Sequence, residues 1–384
     1  MSNPDIYLDY QATTPLDPRV LERMMPYLTT KFGNPHSTNH SFGWEAAAGV
    51  DVARPQVAQL IGADEREIIF TSGATEANNM AIKGIAYAQY PAKNHIITAQ
   101  TEHTCVLESC RALERSGFQV TYLPVDNQGL IDLNELRDSI TDKTALVSIM
   151  AVNNEIGVIQ DIAAIGAICR NAAVVFHTDA AQAVGKIPLD VTAMNIDLMS
   201  ISGHKIYGPK GIGALYMIEE CPVRPLALFD GGGQERGLRS GTLSPALCVG
   251  LGSACVLAEQ DMTQDAAHIS MLAHRLKDKL QSALPDIQIN GSEQQRYAGN
   301  LNITFDHVKA DQLVKELRGI AVSAGSACST EKVEPSHVLT ALGLRRKKID
   351  SSIRIGIGRM TTESEIDQAV HHIIHTVQKI RNLM

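Results

Sequence analysis

A lysine and a cysteine far apart in the sequence are the residues best suited to covalent chemistry. Lys205 follows the apolar run 198–201 and precedes a Gly-Pro pair, so we expect it where a buried strand ends in a turn. A lysine held there can form a Schiff base with an aldehyde cofactor. Cys328 lies among small and hydroxyl residues, a composition typical of a surface loop, where a thiolate can act as a nucleophile. Both residues are therefore candidates for catalysis.

Each of these two residues also has an ordinary interpretation. Most lysines are solvated surface residues, and free cysteines are usually inert residues of the core. An unpaired lysine is costly to bury beside a buried strand, which favours a covalent partner for Lys205. The other six cysteines lie in or beside helical or apolar stretches and are interpreted as inert: Cys105, Cys110, Cys169, Cys221, Cys248 and Cys255.

Small and hydroxyl residues that follow a predicted strand at 68–70 could bind a phosphate. The run 72–76 contains Ala74 and Thr75 and leads into a helix-like stretch. The first turn of a helix offers unpaired N–H groups and the positive end of the helix dipole, and both suit an anion. The alternative is that Ser72 or Thr75 only caps the helix, and the residues by themselves leave both interpretations open.

Three polar residues after predicted strands could contact the ring of a cofactor. Asp179 is expected at the carboxyl end of a buried parallel strand, where it could pair with a protonated pyridine nitrogen. The alternative for Asp179 is a helix N-cap. Gln182 falls about one helical turn later and could reach the phenolic oxygen of the ring. His103 could stack on the ring and move protons, although an arbitrary histidine is more often a surface residue.

A carboxylate substrate would need a cation, and the sequence offers two close candidates. Arg354 lies in the run 351–356, and arginine is suited to bidentate capture of a carboxylate. Arg359 is five residues further on and competes for the same role. Asn34 precedes a proline and could be a turn residue only.

The composition predicts an ordinary globular protein of two domains. The chain has 384 residues, of which 44% are hydrophobic and 20% charged. A net charge of −8 argues against a surface that mainly binds nucleic acid. We find neither a signal peptide nor an apolar run long enough to span a bilayer. The seven cysteines have no metal-ligand or disulfide spacing, so no metal and a reducing, cytoplasmic location are expected.

The order of apolar runs predicts an α/β fold. Runs rich in β-branched residues alternate with helix-like stretches, and most are continuously apolar, which is typical of a mostly parallel sheet buried on both faces. These runs are 68–70, 95–98, 120–123, 145–149, 174–176, 198–201 and 212–216. After about residue 258 the pattern changes to a long helical repeat, two strand-like runs and a final helix that Thr362 and Glu365 open as a capping box. We therefore predict a large domain at 15–258 and a small α+β domain that includes 259–384.

From residues 7–9 to residues 358–359, these motifs together resemble the pyridoxal-phosphate-dependent cysteine desulfurases of the NifS/IscS type. The resemblance implies a fold-type-I transferase whose large domain has a mostly parallel seven-stranded sheet, and it places residues 1–14 with the small domain. It also implies conversion of L-cysteine to L-alanine. Cys328 would attack the sulfur of the substrate, become a persulfide and pass the sulfur to an acceptor protein, either an iron–sulfur scaffold or part of another thio-modification pathway.

The resemblance also assigns a role to each candidate site residue. It implies Lys205 as the Schiff-base lysine, His103 over the ring, and Asp179 and Gln182 on the pyridine nitrogen and phenolic oxygen. The cofactor phosphate would be held by Ala74, Thr75, Ser202, His204 and Thr242, the last from the second subunit of a homodimer. The substrate would be held by Asn34, Asn154 and Arg354. The stretch 324–332, which carries Cys328, lacks apolar anchors and is expected to be mobile.

Two other functions remain open on the sequence. One is a related lyase that acts on selenocysteine, or a small aminotransferase, in which Cys328 is incidental. The other is a non-catalytic scaffold or regulator that kept the fold, since a fold alone does not fix a reaction. The presence of every expected catalytic residue weighs against a scaffold.

Overall fold

The computed structural model describes residues 6–324 and 335–382. Cys328 lies outside the described residues, as does the stretch 324–332 that we predicted to be mobile, apart from Ala324. In the described part of the chain, no helix is long and apolar enough to cross a membrane.

The strands of the described residues belong to three sheets. In chain order they are β1 (Ile6–Tyr7), β2 (Ile68–Thr71), β3 (His95–Ala99), β4 (Gln119–Leu123), β5 (Thr144–Ser148), β6 (Val175–Asp179), β7 (Leu198–Ser202), β8 (Gly213–Met217), β9 (Ile287–Ile289), β10 (Asn300–Phe305), β11 (Ile320–Ala321) and β12 (Ser352–Gly356). The largest sheet has seven strands in the order β2-β8-β7-β6-β5-β3-β4. Strand β8 runs in the opposite direction to the other six strands of this sheet, so the predicted mostly parallel seven-stranded sheet is confirmed.

Helices lie between the strands of this sheet and continue through the C-terminal part of the chain. In chain order they are α1 (Pro18–Thr29), α2 (Ser41–Leu60), α3 (Ala74–Gln89), α4 (Thr104–Arg115), α5 (Leu133–Ser139), α6 (Ile162–Asn171), α7 (Pro245–Ala283), α8 (Ala310–Glu316), α9 (His337–Ala341), α10 (Arg346–Ile349) and α11 (Glu363–Asn382). Strands β2, β3, β5, β6 and β7 are buried along their whole length. Burial on both faces explains why these strands read as continuous apolar runs.

Strand β6 continues three residues beyond the predicted run 174–176 and ends at Asp179. The polar residues interrupt the apolar pattern. The side chains of His177 and Asp179 are hydrogen-bonded, whereas the buried Thr178 Oγ1 has no partner among the described residues. His177 is fully buried, with Nδ1 2.8 Å from Ser148 Oγ and Nε2 3.0 Å from Ser200 Oγ. Hydrogen bonds on both sides offset the cost of burying the imidazole. Strand β6 therefore carries Asp179 to the edge of the sheet.

The C-terminal part of the chain has its own apolar cluster. Strands β12, β10 and β9 form an antiparallel sheet, and β1 pairs in parallel with β11. The cluster joins the predicted stripe of α11 to the second half of α7 and to Ile6 and Leu8 near the N-terminus. The predicted capping box is confirmed, since Thr362 and Glu365 bond to each other's backbone N–H groups. The domain boundary at 258 stays a prediction, and α7 passes through that residue without a break.

Candidate active site

A cavity of about 610 Å³ lies where several strands of the large sheet end. Its walls come from the ends of β6 and β7, the starts of α3 and α4, the segment 11–13, and β12 of the second sheet. Clefts beyond the carboxyl ends of parallel strands are the usual ligand sites of α/β proteins. The cavity brings together these predicted site residues: Ala74, Thr75, His103, Asn154, Asp179, Gln182, Ser202, His204, Lys205 and Arg354.

Two predicted residues of the described chain do not line this cavity. Asn34 is exposed, and its side-chain oxygen accepts a hydrogen bond from the backbone of His36, which is the turn role considered as the alternative. Thr242 is also exposed, and its predicted role is in the site of a second subunit. The functional roles of both residues stay predictions.

One end of the cavity is the start of α3, and no side chain caps it. The N-cap residue is Gly73, whose φ of 151° favours glycine, and it makes no side-chain cap hydrogen bond. Ser72 and Thr75 therefore do not cap this helix. Ser72 instead donates its backbone N–H to Glu76 Oε2 at 2.7 Å, while Arg239 neutralises the same carboxylate at 2.7 Å. The remaining first-turn N–H groups face a site suited to an anion.

His204 stands at this end of the cavity as a neutral ring. Its Nδ1 lies 3.0 Å from Thr13 Oγ1. Burial, together with the positive charges of Lys205 and Lys210, lowers the pKa of His204 to about 4. At neutral pH the ring can therefore offer one N–H to a ligand without carrying a charge.

Lys205 is held at the cavity by two backbone carbonyls. It ends the short 3₁₀ turn Gly203–Lys205 that follows β7, close to the position predicted from the sequence. Its Nζ donates to Gln11 O at 2.5 Å and to Ala12 O at 2.7 Å. Tyr207, two residues on, has a φ of 63°, and its N–H is held by Thr14 Oγ1 at 2.9 Å. The N-terminal segment thus fixes both the lysine and the turn that carries it.

Asp179 is buried at the end of β6 with both carboxylate oxygens engaged. Oδ2 accepts from Asn78 Nδ2 at 2.7 Å, and Oδ1 accepts from the backbone of Ala181 at 3.0 Å. No regular helix begins here, because residues 181–186 form successive turns. The helix N-cap considered for Asp179 is therefore wrong. Gln182 lies within these turns and also lines the cavity.

The imidazole of His103 has a defined orientation. His103 is the N-cap of α4, and its Nδ1 accepts the backbone N–H of Cys105 at 3.2 Å. Burial lowers the pKa of His103, so the ring is neutral at physiological pH. Because Nδ1 is an acceptor, the proton of the neutral ring lies on Nε2. His103 can therefore donate one N–H from Nε2. It can receive a proton at Nδ1 only if its capping hydrogen bond with Cys105 N–H is broken.

The thiol of Cys105 lies in the cavity wall, where the sequence had suggested only an inert cysteine of the core. Cys105 Sγ is 3.0 Å from His103 Nδ1 and accepts from Asn78 Nδ2 at 3.1 Å. Burial, with the charge of Asp179 beside it, raises the pKa of Cys105 to about 12. A thiol that stays protonated is a poor nucleophile, so the expectation of low reactivity holds for a different physical reason.

Arg354 is the arginine that reaches the cavity. It is 3% exposed, and it donates to Asp9 Oδ1 at 2.8 Å and to Asn154 O at 3.0 Å. Its Nε has no hydrogen-bond partner among the described residues. Arg359 instead pairs with Asp17 and stacks 3.8 Å from the ring centroid of Tyr207, outside the cavity. The location favours Arg354 over Arg359 for binding a carboxylate.

Several residues of the cavity, or of the wall behind it, escaped the sequence analysis. Gln11 contributes its backbone carbonyl, which no side-chain pattern can reveal. Asn78 could have been found, because it is a fully buried polar residue on the face of α3 that packs against the sheet. His337 also lines the cavity, and its Nε2 lies 2.9 Å from Glu102 O. His337 is the first residue of α9 and comes shortly after a stretch outside the described residues.

Comparison with known proteins identifies the family of this chain. The family model for "Aminotransferase class-V" matches residues 6–369. The chain belongs to this family. A cysteine desulfurase of Rattus norvegicus is 57% identical over 378 residues, which cover 98% of this chain and 84% of the rat protein. The cysteine desulfurase IscS of Rickettsia conorii is 55% identical over 378 residues, which cover 98% of this chain and 92% of that protein.

A solved structure gives the same answer at the level of the fold. A structure described as a NifS-like protein superimposes with a TM-score of 0.91 at 36% identity, covering 98% of this chain and all of that chain. The predicted resemblance to NifS/IscS-type cysteine desulfurases is confirmed, and so is the predicted fold class. Within the class-V aminotransferase family, this chain stands among the cysteine desulfurases.

Class-V aminotransferases are pyridoxal-phosphate enzymes, and the cavity residues fit that cofactor. The uncapped start of α3, with Ser202 and His204 nearby, suits a phosphate. The buried carboxylate of Asp179 suits a protonated pyridine nitrogen, and the amine of Lys205 suits an aldehyde. An anion site, a carboxylate and a lysine in one cavity are the set of groups that this cofactor requires.

Proposed function

We propose that this protein binds pyridoxal 5′-phosphate and converts L-cysteine to L-alanine, passing the sulfur to Cys328. The observation that carries the proposal is that Lys205, Asp179, His103 and Arg354 share one cavity in a chain of the cysteine desulfurase group. Incubation with L-cysteine should give equal amounts of alanine and of persulfide or released sulfide. Formation of a keto acid or of ammonia instead would exclude the proposal.

The sulfur transfer balances without any external oxidant. The Cys328 thiolate attacks the substrate sulfur and forms an S–S bond while the bond from that sulfur to Cβ breaks. The electron pair of the broken bond stays with the carbon, which gains a proton and becomes the methyl group of alanine. The sulfur is oxidised to the sulfane level and the carbon is reduced by the same two electrons. When bound, pyridoxal phosphate supplies an electron sink for the carbon next to the carboxylate.

The residues of this chain would then have separate roles. Asp179 keeps the pyridine nitrogen protonated by supplying a fixed, buried negative charge. His103 would offer its Nε2 proton towards the cavity. The hydrogen bond from Cys105 N–H to Nδ1 would set the orientation of the ring. Arg354 binds the carboxylate of the substrate with Nε and with donors now shared with Asp9 and Asn154. Lys205 would supply the amine that holds the aldehyde of the cofactor.

We also propose that the active form is a homodimer. Large apolar side chains are exposed on α1, on α2 and in the loop between them: Leu21, Met25, Leu28, Phe32, Phe42 and Trp44. Phe32 is 67% exposed and Trp44 is 59% exposed, which is unusual for a monomer surface. Asn34 lies on the same loop, and Thr242 is exposed outside its own cavity. A second copy that covered this surface would let both residues reach a cavity, and light scattering of the purified protein tests the dimer.

The acceptor of the sulfur and the location of the protein also belong to the proposal. All six cysteines of the described residues are free thiols, which supports a reducing compartment such as the cytoplasm. We propose a protein acceptor, either an iron–sulfur scaffold or a component of a thio-modification pathway. Capture of proteins that take up labelled sulfur from the Cys328 persulfide would identify it.

A further inference from the structure

The amide of Gln182 is fixed at both of its ends. Its Oε1 accepts a hydrogen bond from Lys186 Nζ at 2.7 Å, and its Nε2 donates to Gln11 O at 2.9 Å. Lys186 Nζ is the donor in the first contact, and in the second contact Gln11 O, a carbonyl oxygen, can only accept. The two contacts therefore permit one orientation of the amide and exclude the orientation turned by 180°.

The same carbonyl connects this amide to the reactive lysine. Gln11 O accepts from Gln182 and also from Lys205 Nζ at 2.5 Å. Gln182 Nε2 carries two hydrogens, and Gln11 O takes one of them. The second hydrogen remains for a ligand of the cavity that Gln182 lines.

Lys186 stands in a place where a cation is costly. Its side chain is partly buried, and its Nζ lies 5.4 Å from the ring centroid of Tyr297, which is 8% exposed. Among the described residues, no carboxylate forms an ion pair with Lys186, and the acid beside it, Asp265, is 3.8 Å from Arg359. Burial, together with the charges of Lys205 and Arg354, lowers the pKa of Lys186 to about 7.

We propose that Lys186 is a positioning residue of the cofactor site, which holds the Gln182 amide so that an N–H, and not the carbonyl oxygen, faces the phenolic oxygen of the bound ring. The inference rests on the proposed binding of pyridoxal phosphate. Without Lys186, the amide keeps only the contact to Gln11 O. The turned orientation, in which the amide oxygen faces the phenolic oxygen, then costs one hydrogen bond less than in the wild type and becomes more populated.

The test compares the affinity of the apoprotein for two ligands. One is pyridoxal phosphate and the other is its analogue without the phenolic oxygen, each measured by equilibrium dialysis. Lys186→Met should bind pyridoxal phosphate about five- to tenfold more weakly than wild type, which is the usual cost of one hydrogen bond. Lys186→Met should bind the analogue as tightly as wild type does, because the analogue lacks the phenolic oxygen that would accept the Gln182 N–H.

Two further variants separate positioning from a loss of structure. Lys186→Arg should restore most of the affinity, since a guanidinium can also donate to Gln182 Oε1. Lys143→Met removes a lysine from an exposed turn and serves as the matched control, with no change for either ligand. Thermal melting of each variant checks that the fold is intact.

Two results would overturn the inference while the proposed function stands. One is equal affinity of wild type and Lys186→Met for pyridoxal phosphate, in a protein that still forms persulfide from cysteine. The other is an equal loss for both ligands, which would make Lys186 a structural residue only. Failure of the wild type to bind pyridoxal phosphate would reject the proposed function itself and this inference with it.

Discussion

The carboxylate of Asp179 accepts a hydrogen bond of 2.7 Å from the amide of Asn78. Asn78 lies one turn into α3, the helix whose uncapped start suits a phosphate, and Asp179 ends β6, where a pyridine nitrogen would be paired. This single contact therefore joins the two ends of the cofactor site. Asn78 also donates to Cys105 Sγ at 3.1 Å, so it orders the wall behind His103 as well.

Removal of the Asn78 amide should destabilise the fold. In Asn78→Ala the buried Asp179 Oδ2 loses its partner, and an unsatisfied buried acceptor costs about 1–3 kcal/mol. The free energy of unfolding in urea measures this loss. Asn79→Ala is the matched control, because Asn79 is the next residue of α3 and its amide only contacts the partly exposed backbone of Thr75. Equal stability of the two variants would contradict the assigned role of Asn78.

Replacement of the buried carboxylate should affect catalysis more than folding. Asp179→Asn keeps the shape of the side chain and its contact with Asn78 but removes the negative charge. We expect alanine formation to fall about a hundredfold or more, the usual cost of removing a group that stabilises a developing charge. The visible absorption band of the bound cofactor should also change. Wild-type rates in Asp179→Asn would show that this carboxylate does not act on the ring.

The two neighbouring arginines should separate substrate binding from structure. Arg354→Lys loses the fork of donors that suits a carboxylate, so the KM for L-cysteine should rise about tenfold or more. Arg359→Lys should leave KM unchanged and lower stability instead, because Arg359 pairs with Asp17 and stacks on Tyr207 away from the cavity. The reverse pattern would mean that Arg359 binds the substrate.

Acid should destabilise the protein partly through His177. Burial lowers its pKa to about 3, compared with about 6.5 in an unfolded chain. The stability that depends on the neutral ring is complete above pH 6.5 and is lost as the pH falls from 6.5 towards 3, by up to about 1.4 kcal/mol per pH unit. His177→Gln should therefore show a smaller loss of unfolding free energy between pH 7 and pH 5 than wild type.

The exposed His371 provides the control for this pH dependence. His371→Gln should keep the wild-type slope, since its side chain is not buried in the sheet. If His177→Gln and wild type lose the same free energy over this range, the acid sensitivity comes from other groups.

Apolar periodicity predicted the fold well because buried strands and amphipathic helices leave direct patterns in the sequence. All seven predicted runs became strands of the large sheet. The apolar run 174–176 is shorter than β6 because His177 and Asp179 are polar, and the partners of the buried His177 are serines on two other strands. Such long-range pairing is not visible in local composition.

Residues whose own side chains could do the chemistry were predictable from the sequence. Residues that only hold those side chains in place were harder to predict. Lys205 and Asp179 were found, but Gln11 acts through a backbone carbonyl and Lys186 acts through the amide of Gln182. Cys105 lies in a stretch of sequence typical of a core helix, and it reaches the cavity because α4 starts there. The geometry of these supporting residues depends on segments that are up to about two hundred residues apart in sequence.

We expect the sulfur to pass to Cys328 and not to Cys105, whose thiol lies in the cavity wall. The decisive measurement is mass spectrometry of peptides from protein treated with isotopically labelled L-cysteine. We expect the labelled persulfide on Cys328, and Cys328→Ala should still bind pyridoxal phosphate while forming no persulfide. A persulfide found on Cys105 in the wild-type protein, or alanine formed at the wild-type rate by Cys328→Ala, would contradict the account.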